Sequence, residues 1–148
     1  MPFCLNYVAF SSSCLELWLK VHASAAHKLI PFMTDTVTVL KKATKLDDAY
    51  VVLEQARNIL AAHKGEKDTE VQGMTVGLAD IRVKQKKPEE ALPMYLGVLK
   101  TLQESSSPQE VQLLRLLISL QESLNNAEAV GELKAQLKTA SEKHGVAL

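Results

Sequence analysis

Pro88-Glu89-Glu90-Ala91-Leu92-Pro93-Met94-Tyr95, followed by Leu99, is the stretch from which the rest of the chain can be read. A proline with two acids behind it opens a helix well, because the first turn has no use for the missing donor and its exposed N–H groups favour negative charge. Ala91, Tyr95 and Leu99 follow one another at one-turn spacing, so a small residue, a bulky one and a third apolar one share a face. Pro93 works against this helix. It removes a backbone donor and crowds the carbonyl of Glu89, so the helix is expected to kink there or to begin after Pro88.

The pattern recurs to either side. Shifted by 38 residues, Asn126-Ala127-Glu128-Ala129-Val130 falls on Pro88 through Leu92, and Leu133 and Leu137 fall on Tyr95 and Leu99. The same shift brings Leu116 onto Leu78. Shifted back by 42, Asp47-Asp48-Ala49 falls on Glu89-Glu90-Ala91, Leu53 on Tyr95 and Ala56 on Val98. Three units of about 40 residues result, each long enough for two helices. Apolar periodicity and end signals predict helices near 34–45, 47–63, 69–86, 88–104, 108–124 and 126–144. Asp47 and Asp48 open one; His63-Lys64-Gly65 closes it with bases and a glycine. Ser107-Pro108-Gln109-Glu110 opens another, and His144-Gly145 closes the last.

These units resemble the tetratricopeptide repeat, in the longer-spaced form of kinesin light chains. That family places a small residue at the opening of the second helix and a bulky one four positions later. Ala91 with Tyr95, Ala49 with Leu53 and Ala129 with Leu133 match that requirement. Glu89 through Tyr95 is similar to the acidic-acidic-Ala-x-Pro-x-Tyr stretch of the subgroup, and Leu78-Ala79 stands at its Leu-Gly/Ala pair. Thr75 stands where the family has an aromatic residue and Arg82 where it has tyrosine, so the middle unit matches best and the outer ones more loosely. The resemblance covers about residues 34–144. It implies an all-α fold of antiparallel helix hairpins stacked as a short right-handed solenoid of about three repeats, and it implies that Pro93 is tolerated.

The family binds partners on the surface lined by the first helix of each unit. Carried over, the resemblance implies groove residues Thr38, Lys41 and Lys42 in the first unit. The middle unit supplies Val76, Asp80, Val83 and Lys84, and the last supplies Leu114, Ile118, Gln121 and Glu122. Family members that clamp a C-terminal carboxylate use asparagines and lysines there; Asp80 and Ile118 stand where asparagine is wanted, which argues against that clamp.

Composition narrows the function classes. The chain has 148 residues, 47% apolar and 23% charged, and its bases and acids balance at 17 each, so it lacks the basic excess that nucleic acid or an acidic membrane surface attracts. The densest charge cluster, Arg82 with Lys84-Gln85-Lys86-Lys87, reads as a solvated helix end or as a patch for an acidic partner. It lacks interleaved aromatics for stacking bases. Glu89 and Glu90 are neighbours and point to different faces, which does not suit an acid/base pair. Gly73 and Gly77 fit close helix packing better than a phosphate loop. His63 and His144 suit helix C-termini, and Cys14, His22 and His27 depart from zinc-ligand spacing. No catalytic residue, cofactor or metal ligand is therefore expected, and the chain reads as a non-enzymatic adaptor or assembly factor for a protein or peptide.

Residues 1–32 differ in character from the remainder. They hold the tryptophan, Trp18, all three phenylalanines and a single acid, Glu16. They are too broken by polar residues to span a membrane and lack the basic start of a secretory signal. Low acid content fits a mitochondrial transit peptide, and the absence of arginine counts against one, so the expected compartment is the cytoplasm with mitochondria as the alternative. Cys4 and Cys14 then read as two reduced thiols in preference to the alternative, a disulfide. Met33 begins MTDTVTVLKK in the manner of a start, which divides the chain into an extension, 1–32, and a helical domain, 33–148. An alternative function comes from Leu113–Leu120. That segment is apolar nearly all round, so a larger assembly or a second copy forming a homodimer would cover it if the extension does not.

Overall fold

The computed structural model of the chain describes residues 23–147. A 3-10 helix, Ala23–Leu29, leads into six α-helices: α1 (Ile30–Lys42), α2 (Leu46–Lys64), α3 (Thr69–Lys84), α4 (Pro88–Glu104), α5 (Gln109–Ser123) and α6 (Ala127–His144). The all-α class is as expected, with no strand among the described residues. Each expected helix is present, α1 beginning four residues early and the other boundaries displaced by three residues or fewer. No described helix is long and apolar enough to cross a membrane.

The described residues form two units that meet between Met74 and Thr75, within α3. In the first unit α1 packs along α2, and the 3-10 helix packs on both. Met33, Val37 and Leu40 recur at helical spacing and are buried, facing Ala49, Val52, Leu53, Ala56 and Leu60 of α2. Pro31 lies in the first turn of α1, where its missing donor costs nothing, and lets the helix start before Met33. The boundary expected at residue 33 therefore falls inside a helix. Ala26 is buried too, so part of the expected extension belongs to this core.

In the second unit α5 packs between α4 and α6. Ala91 and Tyr95 are fully or almost fully buried, as the small-then-bulky pattern requires, and Leu114 and Leu117 sit beneath them in the same core. Ala49 and Leu53 repeat this arrangement in the first unit. Ala129 is only half-buried, so the last pair is the loosest. Pro93 stands within α4 without ending it. The side chain is exposed, so water can reach the carbonyl that lost its donor.

Three turns are built alike. Thr44, Lys86 and Asn125 each adopt a left-handed conformation, with φ of 59°, 61° and 56°. In each the next amide reaches back to the last helical turn: Lys45 to the Leu40 carbonyl, Lys87 to Arg82 and Asn126 to Gln121, at 2.9–3.1 Å. This closure satisfies carbonyls that a helix end leaves orphaned. The turns connect α1 to α2, α3 to α4 and α5 to α6, and recur at intervals of 42 and 39 residues. A fourth copy at Ser106 (φ 50°) connects α4 to α5. None contains glycine. The glycines close other ends, Gly65 after α2 and Gly145 in a left-handed conformation after α6.

Candidate functional site

Among the residues expected to line a groove, α3 presents the coherent set. Val76, Asp80 and Val83 are spaced by four and three residues and so share one face of the helix, and all three are half-buried. Val76 and Val83 pack against the core of the second unit, which fixes the stripe in place. Asp80 is anchored from α4: the Tyr95 hydroxyl donates a hydrogen bond to its Oδ1. Burial and the Asp80 carboxylate together push the Tyr95 phenol well above its ordinary range, so it stays a neutral donor. Lys84 follows one turn after Asp80 and is exposed.

The basic run beside this stripe is partly consumed within the protein. Arg82 Nε lies 3.1 Å from Glu90 Oε2, and Arg82 Nη1 donates to Gln85 Oε1 at 3.0 Å. Lys87 Nζ lies 3.6 Å from the other oxygen of Glu90. One carboxylate in the first turn of α4 thus draws two of the cluster's four cations toward it.

Leu114 and Ile118 require correction. They were expected on a partner-facing surface, yet Leu114 is fully buried and Ile118 nearly so, both within the core that α5 makes with its neighbours. The signal was present: Gln112, Arg115, Ser119 and Glu122 recur at helical spacing and are all exposed, which puts Leu114 and Ile118 on the side covered by α4 and α6. Gln121 is half-buried and Glu122 exposed, with Lys134 Nζ of α6 3.0 Å from Glu122 Oε1. Thr38, Lys41 and Lys42 belong to the first unit. Thr38 is exposed and returns its hydroxyl proton to the Thr34 carbonyl at 3.0 Å; Lys41 is half-buried and Lys42 exposed.

Packing also covers the Leu113–Leu120 segment. Its leucines and isoleucine are buried within the second unit, apart from Leu116, which is 37% exposed. The covering is supplied by α4 and α6 of the same chain.

Two arrangements escaped the sequence reading. The rings of His27 and His63 stack in parallel, 4.1 Å between centroids and 3° between planes, joining the 3-10 helix to the last turn of α2. Glu110 is buried in the first turn of α5, 2.8 Å from Nε2 of His144 and 3.9 Å from Nζ of Lys143 in the last turn of α6. A signal for the second existed. Glu110 precedes Leu113 and Leu114 by three and four residues and so lies on their face. Among the described residues no three His, Cys, Asp or Glu side chains form a group able to hold a metal ion. Cys4, Cys14 and His22 lie outside the described residues.

No protein-family model matches the chain, and no curated protein matches it in sequence.

Proposed function

We propose that the chain is a non-enzymatic protein-protein interaction module, an adaptor or assembly factor built from three tetratricopeptide-like hairpins. Its first helices would take a peptide or a helix of the partner. The left-handed turns at Thr44, Lys86 and Asn125, which join α1 to α2, α3 to α4 and α5 to α6, support this reading, although the same turn at Ser106 also joins α4 to α5. The buried pairs Ala91 with Tyr95 and Ala49 with Leu53 add to it, because they occupy the positions at which such hairpins close. Half-buried apolar and charged groups side by side on α3 suit a peptide surface, where orientation comes from a few polar contacts amid apolar ones.

The test is a selection of peptides from a displayed random library against the full chain, followed by hydrogen-exchange footprinting of the protein with the strongest binder. Protection concentrated on α1 or on the Val76–Lys84 face of α3 is expected. Failure to enrich any peptide, or protection confined to α4 and α6, would sink the proposal. The alternative, a structural subunit associating through α5, now has mainly Leu116 to offer as an apolar contact. Light scattering on the full chain separates the two readings: a monomer favours the adaptor, a tight dimer the subunit.

A further inference from the structure

The face of α3 that carries Val76, Asp80 and Val83 has one feature that specifies its occupant. Asp80 is half-buried, and its Oδ1 faces the hydroxyl of the buried Tyr95. Its hydrogen bond from Tyr95 satisfies one acceptor site and leaves the negative charge intact. No cation pairs with it among the described residues, although several are near in sequence. Arg82 and Lys87 turn to Glu90, and Lys84, on the same face one turn later, makes no ion pair with Asp80. A half-buried charge without a counter-charge is costly, and an opposite charge arriving from a partner recovers that cost. The valines to either side lie within about 10 Å along the axis, seven residues at about 1.5 Å each. Both pack on the core of the second unit and are half-buried, so the apolar contact they offer beside the charge is their remaining exposed surface.

We propose that this face docks a partner segment presenting a lysine or arginine between two apolar side chains, with the cation on Asp80 and the apolar groups on Val76 and Val83. The proposal rests on the interaction-module reading and sets the chemistry of its partner. The Asp80 carboxylate is held by the hydroxyl of Tyr95, a side chain that is itself buried. Lys84 acts against the ligand by placing a like charge one turn away.

Peptides of twelve random residues, displayed on phage and selected against the full chain, provide the probe. Enriched sequences are expected to carry Lys or Arg flanked by apolar residues. The strongest binder and its version with that base changed to glutamine are then measured by fluorescence anisotropy. Against Asp80→Asn, whose amide oxygen still accepts from Tyr95, the basic peptide is expected to weaken by about tenfold, the scale of one half-buried ion pair. The glutamine peptide should be unaffected by that substitution. Lys84→Glu, at an exposed position where folding is not at stake, should strengthen the basic peptide several-fold. Binders without a basic residue, or equal affinity for wild type, Asp80→Asn and Lys84→Glu, overturn the docking proposal and leave the interaction module standing. No enriched peptide at all overturns both.

Discussion

His144 Nε2 lies 2.8 Å from Glu110 Oε1, so the last turn of α6 is tied to the first turn of α5 by a contact between residues 34 apart in sequence. Arg115 Nη2 donates to the Ala147 carbonyl at 2.6 Å close by, and the Gly145 turn brings the chain into reach. The helix ends suit the charges. Glu110 sits where exposed N–H groups favour an acid, and Lys143 and His144 sit where carbonyls favour bases.

Replacing His144 by alanine strips the buried Glu110 carboxylate of its nearest partner. The expected loss is about 1–3 kcal/mol, the cost of leaving a buried acceptor unsatisfied, moderated by Lys143 at 3.9 Å. Urea denaturation of the full chain measures it. A loss within about 0.5 kcal/mol, the range of ordinary surface changes, would mean that the contact stabilises nothing.

Thr44 holds a β-branched side chain in the left-handed region, where such residues are strained. Thr44→Gly is expected to stabilise the protein by about 0.5–1 kcal/mol, the relief of strain exceeding the extra entropy of glycine in the unfolded chain. Asn125→Gly should yield less, since asparagine tolerates this conformation. Equal effects at the two positions, read from denaturation midpoints, would contradict the strain argument.

The raised Tyr95 phenol makes stability sensitive to alkali. The unfolded chain releases this proton near pH 10, while the folded state, through burial and the Asp80 carboxylate, retains it to higher pH. Above about pH 10 the folded state therefore binds more protons, and stability falls as pH rises; below it the contribution is whole. Tyr95→Phe should be less stable than wild type by about 1 kcal/mol at neutral pH, from the lost hydrogen bond, with the gap narrowing in alkali. A gap that stays constant from neutral pH to about pH 11 would show that Tyr95 contributes no such linkage.

Leu114→Ala is expected to cost about 2–5 kcal/mol, because the side chain is fully buried and its removal leaves a cavity. Leu116→Ala, two residues on and 37% exposed, should cost less than about 1 kcal/mol. Thermal melts of the two variants make the comparison. Similar losses would mean that a second copy or a partner covers Leu116.

Helix positions were legible because the information is local. Apolar spacing near 3.6 residues, acids and prolines at openings, and bases or glycine at closings act over a few residues, and they place all six α-helices. The buried pair Ala91 with Tyr95 was legible for the same reason, since one turn of helix sets their common face. The left-handed turns were less so. Thr44, Lys86, Ser106 and Asn125 carry no glycine to mark them, and they hold that conformation because the amides beyond them close on the preceding helix.

What composition and periodicity could not supply was which side chains distant in sequence would meet. On α5, Gln112, Arg115, Ser119 and Glu122 share one face, which is exposed, and α4 and α6 cover the side that carries Leu114 and Ile118. The partners of Glu110 and Asp80 depend on contacts across 34 and 15 residues, distances at which local pattern carries no signal. The α-helices follow from short-range hydrogen bonding and side-chain spacing written in the chain. The acid left without a cation on α3, and the clasp at the end of α6, follow from packing, which brings together residues far apart in sequence.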